Sequence, residues 1–377
     1  MRIGDMRLHL GLEKTLKEKH MSMKSAYTSF YIAIALLAVA IVLHVVMAPK
    51  HVEKETHEDV QLLAPDFNAE TLGSIVVRNA HGVTTLYRSP EGWRIKEKND
   101  FFAHREDIDT LVFALCSENA RTTSLSESLR QEAGFPPQED GASLELCDLD
   151  GNALAVYQLG KLLENHDNTP QRRYVLLPDQ RTATSQYLFP FADRRAAEWL
   201  EKSLPELLAP AAVAMVKNGV PEWQIVFRHN RYQLKTPLPE DQTVSPTAVE
   251  QVVKTLHTIS IIDVLPEKIT AEQSGQDKPV VLVVTRKDGL IMFLSFGKTP
   301  QGLMTLQLTA ETSQQSQQKY ADATDTDESD EAAAIRRQAL EKAAADFNKR
   351  YVKWTFLLKP FSTEALFPEL LKLTEQL

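Results

Sequence analysis

Ser143-Leu-Glu-Leu-Cys-Asp-Leu-Asp150-Gly151, running on to Leu159-Gly160-Lys161, decides the fold once it is set beside Val280-Val-Leu-Val-Val-Thr-Arg-Lys-Asp288-Gly289, running on to Phe296-Gly297-Lys298. Each is an apolar run, an Asp-Gly turn and a second apolar run, the strongest short-range signature of a β-hairpin. The turn glycines are 138 residues apart and the Gly-Lys pairs 137, so the register holds across the whole hairpin. A fixed offset of this kind marks an internal duplication.

Working outward on the N-terminal side, each hairpin is preceded by one amphipathic helix. Ile108, Leu111, Val112 and Leu115 stand at i, i+3, i+4 and i+7, as do Val249, Val252, Val253 and Leu256. Ser245-Pro246 announces the second of these, a Ser at the N-cap with Pro at the first helical position. Farther out, Ser74-Ile-Val-Val-Arg-Asn matches Ala214-Met-Val-Lys-Asn, and Gly92-Trp93-Arg94-Ile95 matches Arg231-Tyr232-Gln233-Leu234. Shorter helical pieces are predicted near Ser126 to Ala133 and Ala192 to Ser203.

On the C-terminal side, Arg173-Tyr174-Val175 and Leu188-Phe189-Pro190 find counterparts in Arg350-Tyr351-Val352 and Leu366-Phe367-Pro368, at offsets of 177 and 178. The growth in offset places an insertion in the second copy after the strand Met304 to Thr309. There the sequence changes from Ser313-Gln-Gln-Ser-Gln-Gln to the acidic run Asp322 to Glu331, and then to an Ala-rich stretch from Ala332 to Lys349. This reads as a solvated loop followed by a strong helix former.

The fold class is therefore α+β: two tandem repeats of an antiparallel sheet with a packed helix, residues 72–209 and 210–377, with the insertion at about 310–349. Each repeat holds well over a hundred residues, enough to bury a core of its own. A hinge is placed near Leu208 to Ala212, around Pro210, and the cleft between lobes is a plausible binding place.

Ahead of the repeats, residues 29–48 carry the apolar run Phe30 to Met47, whose strongly polar member is His44. Eighteen residues apolar on every face are just long enough to cross a bilayer as a helix. Cleavage after Val46-Met47-Ala48 is the competing reading; the length of the run and Pro49 favour an uncleaved anchor. The tail 1–28 includes Arg2, Arg7, Lys14, Lys17, Lys19 and Lys24, against Lys50 and Lys54 just beyond the span, which places the N-terminus in the cytoplasm. A start at Met21 or Met23 keeps Lys24 and the same orientation. Residues 49–71 form a linker, and the bulk of the chain is extracytoplasmic.

Composition excludes several function classes. Of the 377 residues, 42 are Lys or Arg and 51 are Asp or Glu, a net charge of -9. That argues against a partner held by phosphate neutralisation, so nucleic acid is not expected. Among 14 glycines none forms GxGxxG or GxxxxGK[ST], and GxSxG, HExxH and Cys-x-x-Cys are all missing from the sequence. An enzyme is therefore not expected, and no catalytic, cofactor-binding or metal residue is nominated.

Weaker features have a functional and a bland reading. Cys116 and Cys147 could meet as a disulfide in an oxidising compartment, or serve as two small buried hydrophobes, which their strand parity favours. His51 and His57 with Glu53, Glu55 and Glu58 could hold a transition metal weakly; a solvated linker is the plainer account. Asp325 to Asp330 lacks the glycine and spacing of a calcium loop and reads as an extended acidic surface. His44 reads as a snorkelling or partner-facing side chain, and Trp93, Trp223, Tyr232 and Trp354 as core or cross-strand residues.

The order of features is a single anchor, a strand pair, Gly92-Trp93-Arg94-Ile95, the Ile108 to Leu115 helix, the Gly134-Phe135-Pro136 break, an Asp-Gly hairpin ending in Leu-Gly-Lys, and Arg-Tyr-Val. That order resembles the family catalogued as domain of unknown function 4340, from about Leu72 to Leu373, with the acidic insertion as a departure. The resemblance implies a membrane-anchored extracytoplasmic protein that accompanies the ATPase and permease subunits of gliding-type ABC transporters. It implies an accessory subunit on a bacterial inner membrane that binds or scaffolds, and it supplies no catalytic residues; independently of the resemblance, capture of a small molecule or glycan in the cleft between the repeats is the alternative.

Overall fold

A computed structural model describes residues 56–64, 67–125, 127–137, 141–163, 170–217, 219–312 and 330–376. The chain divides into Met1–Thr56 and a compact unit, His57–Leu377. The predicted span with His44, the His51 to Glu58 side chains and Asp325 to Ser329 lie outside what is described; among the described residues no helix is long and apolar enough to cross a membrane.

The compact unit is α+β, with two large antiparallel sheets and few helices. The first sheet contains β1 (Thr56–Leu62), β2 (Leu72–Asn79), β3 (Gly82–Ser89), β4 (Gly92–Ile95), β5 (Phe101–Phe102), β6 (Asn119–Ser124), β7 (Ala142–Asp148), β8 (Ala153–Leu162), β9 (Arg173–Leu176) and β10 (Thr182–Ser185). Later come β11 (Ala212–Lys217), β12 (Val220–Arg228), β13 (Arg231–Leu234), β14 (Gln242–Val244), β15 (Ile261–Val264), β16 (Val280–Thr285), β17 (Ile291–Lys298), β18 (Met304–Glu311), β19 (Phe356–Leu358) and β20 (Thr374–Gln376). Of these, β14 and β20 pair by themselves and tie down the end of the chain; the rest form the second sheet. The helices are α1 (Arg105–Ser117), α2 (Glu127–Glu132), α3 (Pro246–His257), α4 (Ala271–Ser274), α5 (Asp330–Tyr351) and α6 (Thr363–Leu366).

From one edge to the other, the first sheet runs β4-β3-β2-β7-β8-β9-β10-β6 and the second β13-β12-β11-β16-β17-β18-β19-β15, with β5 and β1 as extra edge strands of the first. The two orders correspond position for position, and α1 and α2 fall between the same strands as α3 and α4. Both Asp-Gly turns close hairpins, β7–β8 and β16–β17. At the first, Asp148 Oδ1 accepts from the backbone N–H of Asp150 and Asn152, and Gly151 takes the positive φ of +86° that an L side chain resists.

On α1, Ile108, Leu111 and Leu115 are buried and Val112 is half-buried; on α3 all four predicted positions are buried. Ser245 does precede Pro246 at the start of α3, but its side chain makes no capping bond.

Three expectations change, and the favoured reading of the two cysteines as separate holds. The linker at 49–71 contains β1, which lies beside β6, and Leu63 and Ala64 are buried with their N–H groups donating to the Glu118 and Leu115 carbonyls. Leu63 and Ala64 carry the end of this segment into the core, while Val60 and Leu62 stay exposed. Arg350-Tyr351-Val352 is not the structural counterpart of Arg173-Tyr174-Val175, which lies in β9: Arg350 and Tyr351 close α5, and the place of β9 is taken by β18. Leu340, Ala344, Phe347 and Tyr351 bury one helical stripe, so the Ala-rich propensity continues through Tyr351. Cys116 and Cys147 are free thiols, Cys147 buried as a small hydrophobe. Finally, the two sheets do not keep separate cores, because one cluster of buried side chains runs from Leu63 through Trp199 and Val213 to Leu373.

Candidate functional site

The seam between the two sheets is set by the turn from β4 to β5. Its polar sequence Lys96-Glu-Lys-Asn-Asp100 puts Asn99 and Asp100 in the left-handed region, at φ of 54° and 59°. Asn99 Nδ2 donates to the Leu265 carbonyl at 2.7 Å, the Asn99 carbonyl accepts from Trp354 Nε1 at 2.8 Å, and Lys98 pairs with Asp263 at 2.7 Å. Behind the turn, Phe101 meets Trp354 and Phe356 edge to face, with ring centroids 5.2 and 5.0 Å apart.

Where α5 ends against this seam, a cavity of about 550 Å³ opens between the β3–β4 turn, the first turns of α1 and the last turn of α5. Trp93 and Phe102 supply aromatic surface, and Ile108 and Val112 supply aliphatic surface. Six charged side chains line it: Arg88, Arg105 and Arg350 against Glu91, Asp109 and Glu201.

The carboxylates are engaged. Glu91 is 2.7 Å from Lys349 and 3.5 Å from Arg94, and the Lys349 ammonium holds the Glu91 carboxyl down at about 2. Asp109 pairs with Arg105 one helical turn before it, at 3.2 Å, and Glu201 accepts from the Ser203 N–H and hydroxyl. Two guanidiniums are left without a carboxylate among the described residues. Arg88 reaches the Glu70 carbonyl at 3.3 Å. Arg350 lies over the Phe102 ring, 5.2 Å from its centroid, and its Nε is shut off from solvent with no hydrogen-bond partner. Arg94 is also over Phe102, at 4.3 Å, but its donors are satisfied by the Asp100 carbonyl and Ser89 Oγ.

A second polar cluster adjoins the cavity at Glu201. Asp107 accepts from Arg194 at 2.7 Å with His104 Nδ1 at 3.5 Å, and Arg194 is laid over Phe191, which fixes the start of α1 to the chain after β10. Among the described residues no group of three or more His, Cys, Asp or Glu side chains could hold a metal ion.

The aromatic residues singled out from sequence divide. Trp223 is buried, with Nε1 donating to the Pro368 carbonyl; Trp354 is buried at the seam; and Tyr232 donates to the Pro210 carbonyl, beside the predicted hinge. Trp93 alone of the four lines the cavity. Sequence reasoning missed Arg88 and Arg350 as site residues. For Arg350 the available signal was a cation following Phe347 and preceding Tyr351 on an amphipathic stripe, which places it at the edge of the buried face. The chain matches no family model and no curated protein.

Proposed function

We propose that this is a non-enzymatic, single-pass membrane protein whose duplicated extracytoplasmic region binds a ligand in the seam cavity. The observation that carries the reading is the cavity itself. It is concave, half aromatic and aliphatic, is walled by the first sheet and α1 with Arg350 reaching in from the end of α5, and holds two guanidiniums that have no acidic partner among the described residues. The matching strand orders support a duplicated module, and Arg350, on the helix inserted in the second copy, completes a site that the first copy otherwise builds. The anchor rests on the apolar run Phe30 to Met47.

A second reading is an accessory subunit of an ABC-type transporter or envelope complex, binding its ATPase and permease subunits. Its support is the ordered set of sequence features that resembles the membrane-anchored family, together with the predicted anchor. Purification of the full-length chain from its native membrane in mild detergent, followed by mass spectrometry, separates the two. Stoichiometric recovery of an ATPase and a permease favours the subunit; recovery of the chain alone, stabilised thermally by a small ligand, favours capture in the cavity.

A further inference from the structure

Resting on the seam-cavity reading, we propose that the cavity recognises an oxyanion, carboxylate or phosphate, carried on a ring that can lie against Trp93, and that Arg350 and Arg88 are the groups that hold it. Three observations converge. The chain has a net charge of -9, so cations left over in one cavity are not a by-product of a basic surface. Glu91 is paired with Lys349 and Asp109 with Arg105, Glu201 is hydrogen-bonded to Ser203, and among the described residues no carboxylate forms an ion pair with either Arg88 or Arg350. Arg350 is also the more costly of the two to leave alone, because its Nε has lost water and gained no acceptor.

The chemistry of the guanidinium narrows the class. Its planar fork of donors matches the two oxygens of a carboxylate or phosphate, and a charge-assisted pair of this kind is about twice as strong as a neutral hydrogen bond. The cation–π contact with Phe102 holds the Arg350 guanidinium at the cavity wall, so little side-chain freedom is lost when an anion arrives. Arg88 comes from β3 and Arg350 from the end of α5, so an anion held by both bridges the first sheet to the helix inserted in the second. Trp93, in the same lining, supplies the aromatic surface for the remainder of the ligand.

The test uses the full-length chain in detergent at matched ionic strength, with thermal unfolding and calorimetric titration against D-glucuronate, D-glucose and inorganic phosphate. Stabilisation by glucuronate but not glucose is the expected result. Stabilisation by phosphate alone also supports the oxyanion and assigns a free or esterified phosphate as its source. Arg350→Gln should weaken anion binding at least tenfold and Arg88→Gln several-fold, while Lys278→Gln, an exposed distant cation, leaves it unchanged. If Arg350→Gln fails to fold, Arg88→Gln, at an exposed position on β3, carries the test. Equal stabilisation by glucose and glucuronate overturns the anion assignment and leaves the binding reading in place. No response to either anion, or a wild-type response in both arginine variants, overturns the proposal.

Discussion

Gly160 and Gly297 are the same residue used twice, and packing explains why each is glycine. A Cβ on Gly160 would collide with the Ala133 carbonyl just after α2, and one on Gly297 with the Gly275 carbonyl just after α4. Lys161 N–H donates to that same Ala133 carbonyl at 2.8 Å, so the crossing chain cannot back away without losing a bond. Gly160→Ala or Gly297→Ala should each destabilise the fold by about 1–3 kcal/mol, the usual range for forced overpacking. Urea unfolding would show it as a lower midpoint at unchanged slope; an unchanged midpoint would mean the crossing is loose. Tyr351 makes a second single-residue case. Its hydroxyl donates to both Glu206 oxygens, at 3.0 and 2.9 Å, and burial together with the Glu206 charge raises its ionisation above the ordinary 10.0. The stabilisation is present below pH 10 and is lost as the pH rises beyond it. Tyr351→Phe should cost about 1–3 kcal/mol at neutral pH, since a half-buried carboxylate loses its donor, and should flatten the alkaline limb of a stability-against-pH curve.

Among the elements, α5 is the one that a single copy of the module does not need. It lies between β18 and β19, where the first sheet has only the short turn from β9 to β10, and it ends with Lys349 on Glu91 and Arg350 on Phe102. The inserted helix therefore docks its last turn on the other sheet. Glu91 reports that docking: with its carboxyl held down at about 2, the ion pair stabilises the fold above the ordinary 4.5 and is lost as the pH falls from 4.5 towards 2. Thermal midpoints of wild type and Glu91→Gln should thus differ above pH 4.5 and converge near pH 2. Parallel curves over that interval would show that Lys349 and Glu91 do not pair in solution.

At the scale of the whole molecule, one hydrophobic cluster spans both sheets, and the β4–β5 turn fastens them through Lys98, Asn99, Phe101 and Trp354. A shared core predicts shared cooperativity. Far-ultraviolet circular dichroism and tryptophan fluorescence should follow a single transition for residues 57–377, and residues 72–209 expressed alone should bind a hydrophobic dye through the bared seam. Two separated transitions would show that each sheet is stable by itself. Trp354→Ala, which removes a buried ring and the donor to the Asn99 carbonyl, should lower the single midpoint by the equivalent of about 3–5 kcal/mol.

Much of this was readable in the amino-acid order because it depends on near neighbours. The Asp-Gly hairpins and the helical stripes Ile108 to Leu115 and Val249 to Leu256 each follow from periodicity or turn chemistry within some twenty residues, and the change in composition after Met304 to Thr309 marks the insertion. The constant offset between the hairpins carried that local reading up to the fold class. The seam was not readable in this way. Phe101 meets Trp354, Glu91 meets Lys349 and Asn99 meets Leu265 across more than 160 residues, and no local pattern distinguishes a pair made at that distance from two separate polar or aromatic residues. The error at Arg350-Tyr351-Val352 has the same origin: three letters matched a strand, while the helical stripe from Leu340 and the space beside β18 decided the conformation. The sequence determined two α+β units of one design, because hydrophobic period and turn chemistry act locally. Tertiary structure alone decided that they share a core and leave Arg88 and Arg350 facing one cavity, because burial and charge pairing depend on which distant surfaces meet.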